Sequence, residues 1–184
     1  MTLKNTFLAW SGATISEADF DGFYQAELPR IYNFFRYRVG DNSLAEDLTA
    51  ETFEKAWRYR QRYQRDLAAF STWLFTIARR VVQDHYRKQR SARSQTLLAL
   101  DEITELAESV RTEDLVQQQA DFAHLSRLLA RFADRERELV ALKYGAGLTN
   151  RAIAHLSGLS ESNVGVILHR AVQTLREEWD KPHE

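Results

Sequence analysis

Two stretches of this chain carry residues whose types and spacing suit contact with a polyanion. The first is a block of charge. Positions 55–93 hold eleven Lys and Arg against two acids, Asp66 and Asp84. Positions 94–126 reverse the sign, with seven acids against Arg111. The formal net charge of -1 conceals this segregation. A basic block of this density points to a polyanion partner, because neutralising phosphates supplies most of the affinity for nucleic acid. Two solvated helix faces would carry the same charges.

The second stretch is 149–171. Ala154, Gly158 and Val164 fall at the spacing of a helix-turn-helix, with Ile153, Leu159 and Ile167 available to fill its corner. A small residue in the first helix admits the second, a glycine takes the left-handed turn, and a β-branched residue packs the angle. An ordinary helical hairpin shares this spacing. In the helix-turn-helix reading, Ser160, Ser162, Asn163, Val166, His169 and Arg170 face the major groove or its phosphates, beside Glu161. Arg151 adds a cation from the first helix. Asn163 can bond an adenine edge, Val166 can touch a thymine methyl and Arg170 can reach a phosphate. Residues 149–176 hold three Arg against one Glu, so tight DNA binding needs a second attachment elsewhere.

Other chemistries are poorly supported. The chain has no cysteine, which excludes disulfides, thiolate-held zinc and a cysteine nucleophile. His85, His124, His155, His169 and His183 form no close metal spacing, and the glycines make no phosphate cradle of the G-x-x-x-x-G-K type. No enzymatic activity, metal or cofactor is expected. No apolar run approaches the ~20 residues of a membrane span. The Phe7–Trp10 patch is too short for a signal-peptide core. A cytoplasmic protein with no membrane insertion is expected.

The elements that must position these residues read at helical period. Phe23, Tyr24, Ala26, Leu28, Ile31, Phe34 and Phe35 predict an amphipathic helix to Val39, with Pro29 able to kink it. Gly40 to Ser43 read as C-cap, turn and N-cap. A second helix, Leu44 to about Tyr59, carries Ala45, Leu48, Thr49, Thr52, Phe53 and Ala56 on one stripe. Glu46, Asp47, Glu51 and Glu54 lie on its other side, its first turn reading as acidic and its end as basic. Residues 60–69 read as a loop. A third helix from Ser71 buries Phe70, Trp73, Leu74, Ile77, Ala78, Val81 and His85, while Arg79, Arg80, Gln83, Arg87 and Lys88 face outward. Periodicity weakens over 91–113, an acidic flexible linker. A second helical unit follows, with Gly145 and Gly147 stopping one of its helices. The fold class is all-α: two small helical domains, 1–90 and 114–184, the second containing the helix-turn-helix.

The acidic helix from Ala45 to Trp57, the run Ser71-Thr72-Trp73-Leu74-Phe75-Thr76-Ile77-Ala78-Arg79-Arg80 and the distal helix-turn-helix, in this order, closely resemble the extracytoplasmic-function (ECF) group of bacterial sigma-70 family RNA polymerase sigma factors. The resemblance covers about 20–90 and 128–179. It implies that the first domain binds core RNA polymerase at the β′ clamp helices through Glu46, Asp47, Glu51 and Glu54. It implies that Arg62, Tyr63, Arg65, Arg79, Arg80, Gln83, Arg87 and Lys88 hold and melt the minus-ten element of promoter DNA, with Tyr59 and Tyr63 as stacking partners and Trp73 as packing. The second domain is implied to bind the β flap and read the minus-thirty-five element. The linker would thread toward the RNA exit channel, with Asp101, Glu102, Glu105 and Glu108 resembling an RNA-like anion or keeping a tether soluble. An anti-sigma factor is implied as a further partner. Three departures stand out: Ala50 where Gln is common, Arg80 where Asn is usual, and Gly165-Val166-Ile167 where Lys-Ser-Arg is common. A stand-alone helix-turn-helix regulator, or an interaction adaptor without promoter activity, is the competing reading.

Overall fold

The computed structural model describes residues 15–63, 69–95, 113–179 and 181. The Phe7–Trp10 patch, Arg65, His183 and the linker acids Asp101, Glu102, Glu105 and Glu108 lie outside them.

Helix α1 spans Glu17–Val39 and runs through Pro29. Ser16 caps it by accepting the Asp19 N–H. Gly40 ends it in the left-handed region, with φ 76° and its N–H donating to the Arg36 carbonyl. Helix α2 spans Asn42–Tyr59 and starts two residues before the expected Leu44. The reason is its cap: the Asp41 carboxylate accepts the Leu44 N–H at 2.7 Å. The first turn therefore holds no acid, and Asp41 itself faces the positive helix end. Ala45, Leu48, Thr49, Thr52, Phe53 and Ala56 are buried as one stripe. The two threonine hydroxyls donate to the carbonyls of Ala45 and Leu48, so neither is left unsatisfied. A 3₁₀ turn at Arg60–Arg62 leads toward α3, Phe70–Gln95, which continues past Ser91, where apolar periodicity weakens.

The second domain holds α4 (Glu113–Ala130), α5 (Asp134–Val140), a π-helical turn (Ala141–Gly145), α6 (Asn150–Ser157) and α7 (Glu161–Trp179). The π turn is closed by Ala146 N–H to Ala141 carbonyl at 2.9 Å and Leu148 N–H to Leu142 carbonyl at 3.0 Å. Among the described residues no strand is present. No described helix is long and apolar enough to cross a membrane.

The first domain packs Ile31, Phe34, Phe35, Leu74, Phe75 and Val82 with no solvent exposure. Phe34 meets Phe75 edge-on at 5.8 Å. Leu139, Leu142, Ile153 and Val164 are equally buried in the second. The two domains dock, and their buried residues join into one continuous cluster. One close approach is that of Gly145 to α1. A Cβ at Gly145 would stand 2.7 Å from the Asn33 carbonyl oxygen, so only glycine allows the π turn to seat there.

Phe34→Ala should destabilise the protein by about 3–5 kcal/mol, as deletion of a fully buried aromatic does. Urea unfolding followed by circular dichroism checks it.

Candidate nucleic-acid interface

The acids of α2 form one exposed arc opposite its buried stripe. Glu46, Asp47 and Glu54 are exposed and Glu51 is half-buried. Ala50 sits within this arc, also exposed. Glu51 pairs with Lys55 at 2.7 Å and Glu54 with Arg58 at 2.5 Å, both one turn on. Such exposed pairs contribute only ~0.3–0.5 kcal/mol and yield readily to a better partner. Glu46 and Asp47 have no ion pair among those formed by the described residues.

Beside the basic end of α2 lies an open groove of about 410 Å³. Lys55, Tyr59 and Arg62 line one wall, and Trp73, Ile77, Arg80 and Asp84 the other. The second wall is a single stripe of α3, at steps of four, three and four. Tyr59 exposes its ring to solvent, and the Arg62 guanidinium lies 5.2 Å from its centroid. Arg60 stacks over Trp57 at 3.7 Å. Cations interleaved with an exposed aromatic ring suit a strand of unstacked bases.

The described residues expected from sequence to touch DNA in this domain, Arg65 lying outside them, divide into four groups. Arg62 and Arg80 line the groove. Gln83, Arg87 and Lys88 are exposed farther along α3, Arg87 pairing with Asp84 at 2.9 Å. Tyr63 is 5% exposed and packs edge-on against Phe70 and tilted against Trp73, so in this conformation it is a core residue and not a stacking surface. Arg79 faces away from Arg80, toward the second domain. Its guanidinium forms a bidentate pair with Glu138, at 2.9 and 3.2 Å, and donates to the Leu156 carbonyl. One residue along a helix turns a side chain by ~100°, which separates neighbouring arginines onto different faces. Trp73 packs as expected but also lines the groove. Lys55, Ile77 and Asp84 were not anticipated, although the stripe 73, 77, 80, 84 is legible as helical spacing.

In the second domain the helix-turn-helix geometry is complete. Thr149 caps α6 by accepting the Ala152 N–H at 3.2 Å. Gly158 takes φ 71°, and its N–H donates to the Ala154 carbonyl at 2.9 Å. Ser160 caps α7 by accepting the Asn163 N–H at 3.2 Å. Ile153, Val164, Leu168 and Ala171 are buried in the angle. Arg151, Ser160, Ser162, Asn163, Val166, His169 and Arg170 are all exposed. Arg151 lies 3.6 Å from Glu161, which offsets one of the few cations here. Among the described residues no group of His, Asp and Glu is arranged to hold a metal ion.

Residues 23–92 match the family model for Sigma-70 region 2, and residues 128–177 that for Sigma-70, region 4. The chain is 30% identical over 158 residues to the RNA polymerase sigma factor CarQ of Myxococcus xanthus, over 86% of this chain and 87% of the relative. The chain belongs to the sigma-70 family of RNA polymerase sigma factors. It is also 33% identical over 164 residues to the ECF RNA polymerase sigma factor BldN of Streptomyces coelicolor. That match takes in 89% of this sigma factor and 61% of BldN. The sigma factor RpoE, solved in complex with the anti-sigma factor NepR from Bartonella quintana, has the same fold. Its TM-score is 0.69 at 22% identity, over 89% of this chain and 99% of that one. In this sigma factor the acid arc and the groove both fall in region 2, and α7 falls in region 4.

Gly165 of the sigma factor lies inside α7, and a Cβ there would meet only the Asn150 side-chain nitrogen, at an ordinary 3.7 Å. Gly165→Ala should therefore raise stability by about 0.5–1 kcal/mol. A higher thermal midpoint by circular dichroism checks it.

Proposed function

We propose that this sigma factor docks on the β′ clamp helices of core RNA polymerase through Glu46, Asp47, Glu51 and Glu54. The α2–α3 groove then holds the melted minus-ten strand, and α7 reads the minus-thirty-five element once region 4 sits on the β flap. The observation that carries the reading is the groove: Lys55, Arg62 and Arg80 surround the exposed Tyr59 ring and the Trp73 edge of the core. Cations draw in the backbone, and aromatic faces replace the stacking that a base loses when the duplex opens.

The weakly basic face of α7 fits a reader that is tethered, not free. Core polymerase raises its local concentration at the promoter, so few phosphate contacts suffice. The organisation proposed is 1–90 for region 2, 91–113 for a linker and 114–184 for region 4. The bond-making chemistry belongs to the polymerase; the chain itself has no catalytic activity, needs no cofactor and works in the cytoplasm. An anti-sigma factor is its proposed regulator, by similarity to the RpoE–NepR pair.

In-vitro transcription with purified core polymerase and a promoter library tests the whole reading. Asp47→Lys with Glu51→Lys should weaken core binding at least tenfold in a pull-down, the equivalent of ~1.4 kcal/mol, while circular dichroism stays unchanged. Arg62→Ala with Arg80→Ala should leave holoenzyme assembly intact and reduce permanganate-reactive open complex at the minus-ten element. Asn163→Ala should remove about 1–3 kcal/mol of discrimination at the minus-thirty-five element, whereas Arg170→Ala should weaken all promoters alike. Specific nanomolar DNA binding without core would favour a stand-alone regulator.

A further inference from the structure

A second cavity, of about 350 Å³, opens on the seam between α1 and α4. Tyr32 and Arg36 line it from α1, Asn42 from the first turn of α2, and Gln118, Gln119 and Phe122 from α4. Its volume falls within the range of small-molecule sites, about 300–1,000 Å³. It lies at the opposite end of α2 from the groove, since Asn42 and Lys55 stand about 20 Å apart along the helix axis. The α4 wall falls between the two matched segments, 23–92 and 128–177, so neither family model accounts for it.

The polar groups on this seam are not satisfied by the fold. The Arg36 guanidinium carbon lies 3.7 Å from the centroid of the Phe122 ring and 6.0 Å from that of Tyr32. No carboxylate among the described residues pairs with it. Its Nε is buried and makes no hydrogen bond. One turn farther along α4, Ser126 Oγ is also buried and unpartnered, and the Ser126 Cβ would stand 3.4 Å from a Cβ at Gly40, one turn beyond Arg36 on α1. Two acids on the flanking segments are engaged elsewhere: Asp41 caps α2, and Asp121 accepts from Gln117 Nε2 at 2.8 Å. A buried donor of this kind is costly until an acceptor meets it.

The chemistry of the lining selects the acceptor. A guanidinium lying on an aromatic ring keeps its edge free, and that edge presents planar donors matched to a phosphate. Asn42 and Gln118 each carry a donor and an acceptor on one planar amide, the pattern that pairs with the edge of a purine. The half-buried Tyr32 ring supplies an aromatic surface for a base. We infer that this cavity binds a purine mononucleotide, its phosphate on the free edge of Arg36 and its base against Tyr32, read by the amides of Asn42 and Gln118. Such a ligand joins α1, α2 and α4 without competing for the α2–α3 groove. The site does not depend on the roles proposed above for that groove or for the acid arc.

Isothermal titration calorimetry on the full chain tests it, with AMP, GMP, CMP, adenosine and inorganic phosphate as probes. AMP or GMP should bind one to one, at least tenfold more tightly than CMP, adenosine or inorganic phosphate. Arg36→Gln should weaken that binding at least tenfold, and Gln118→Ala, at an exposed position, at least threefold, with circular dichroism unchanged. If Arg36→Gln does not fold, Gln118→Ala decides. Arg62→Ala with Arg80→Ala, in the groove at the far end of α2, should leave nucleotide affinity as in wild type. No saturable binding of AMP or GMP at millimolar concentration would overturn the site. Equal affinity for inorganic phosphate, or for CMP, would overturn the purine assignment. Loss of binding in the Arg62 and Arg80 variant with none in Gln118→Ala would place the nucleotide in the groove and overturn the cavity.

Discussion

The seating of Gly145 on the backbone of α1 places the second domain of this sigma factor. The Asn33 carbonyl oxygen would lie 2.7 Å from a Cβ at that position, so the π turn and the middle of α1 approach too closely for any side chain there. Long-range polar contacts also join the domains. Arg38 with Asp134, Arg30 with Ala146 and Arg79 with Glu138 bring together groups 96, 116 and 59 residues apart. Each of these pairs depends on the position of a whole domain and not on a neighbouring turn.

Electrostatics explains why the docking face is polar within an apolar surround. Arg38 is buried with a single carboxylate partner, and its Nε and Nη1 make no hydrogen bond. Its guanidinium also lies 5.1 Å from the Tyr86 ring, whose hydroxyl donates to the Arg38 carbonyl. A buried cation held this lightly adds little net stability, since desolvation offsets most of the attraction. It does make docking specific: region 4 must deliver Asp134 to this point, or Arg38 stays uncompensated. Interfaces of this kind separate more readily than a wholly apolar core would.

The surfaces assigned to polymerase and promoter follow a different logic. Acid arc, groove and recognition face each lie on one helix or on two adjacent helices, and all three are open to solvent. Their charges are segregated by helical phase, acids opposite the buried stripe of α2 and cations beside the Trp73 stripe of α3. Long side chains at such places keep their hydration until a partner arrives.

Much of this was legible from the residues alone. The α2 stripe was readable because burial repeats at the helix period, and the helix-turn-helix because Ala154, Gly158 and Val164 satisfy a local steric demand within a dozen residues. Exposure of the α7 face follows from the same short-range geometry. Arg79 and Tyr63 were different. The family resemblance marked both as nucleic-acid contacts, yet Tyr63 packs into an aromatic cluster and Arg79 turns toward Glu138. Arg38 lies in step with Ile31, Phe34 and Phe35, but spacing alone names no partner for it. Sequence by itself determined most of the helices, their apolar faces and the family to which they belong, because each depends on interactions spanning a few turns, although the Asp41 cap of α2 was not among them. Only the tertiary structure decided which cations are free and which are paired, because that depends on a glycine far along the chain meeting one carbonyl of α1.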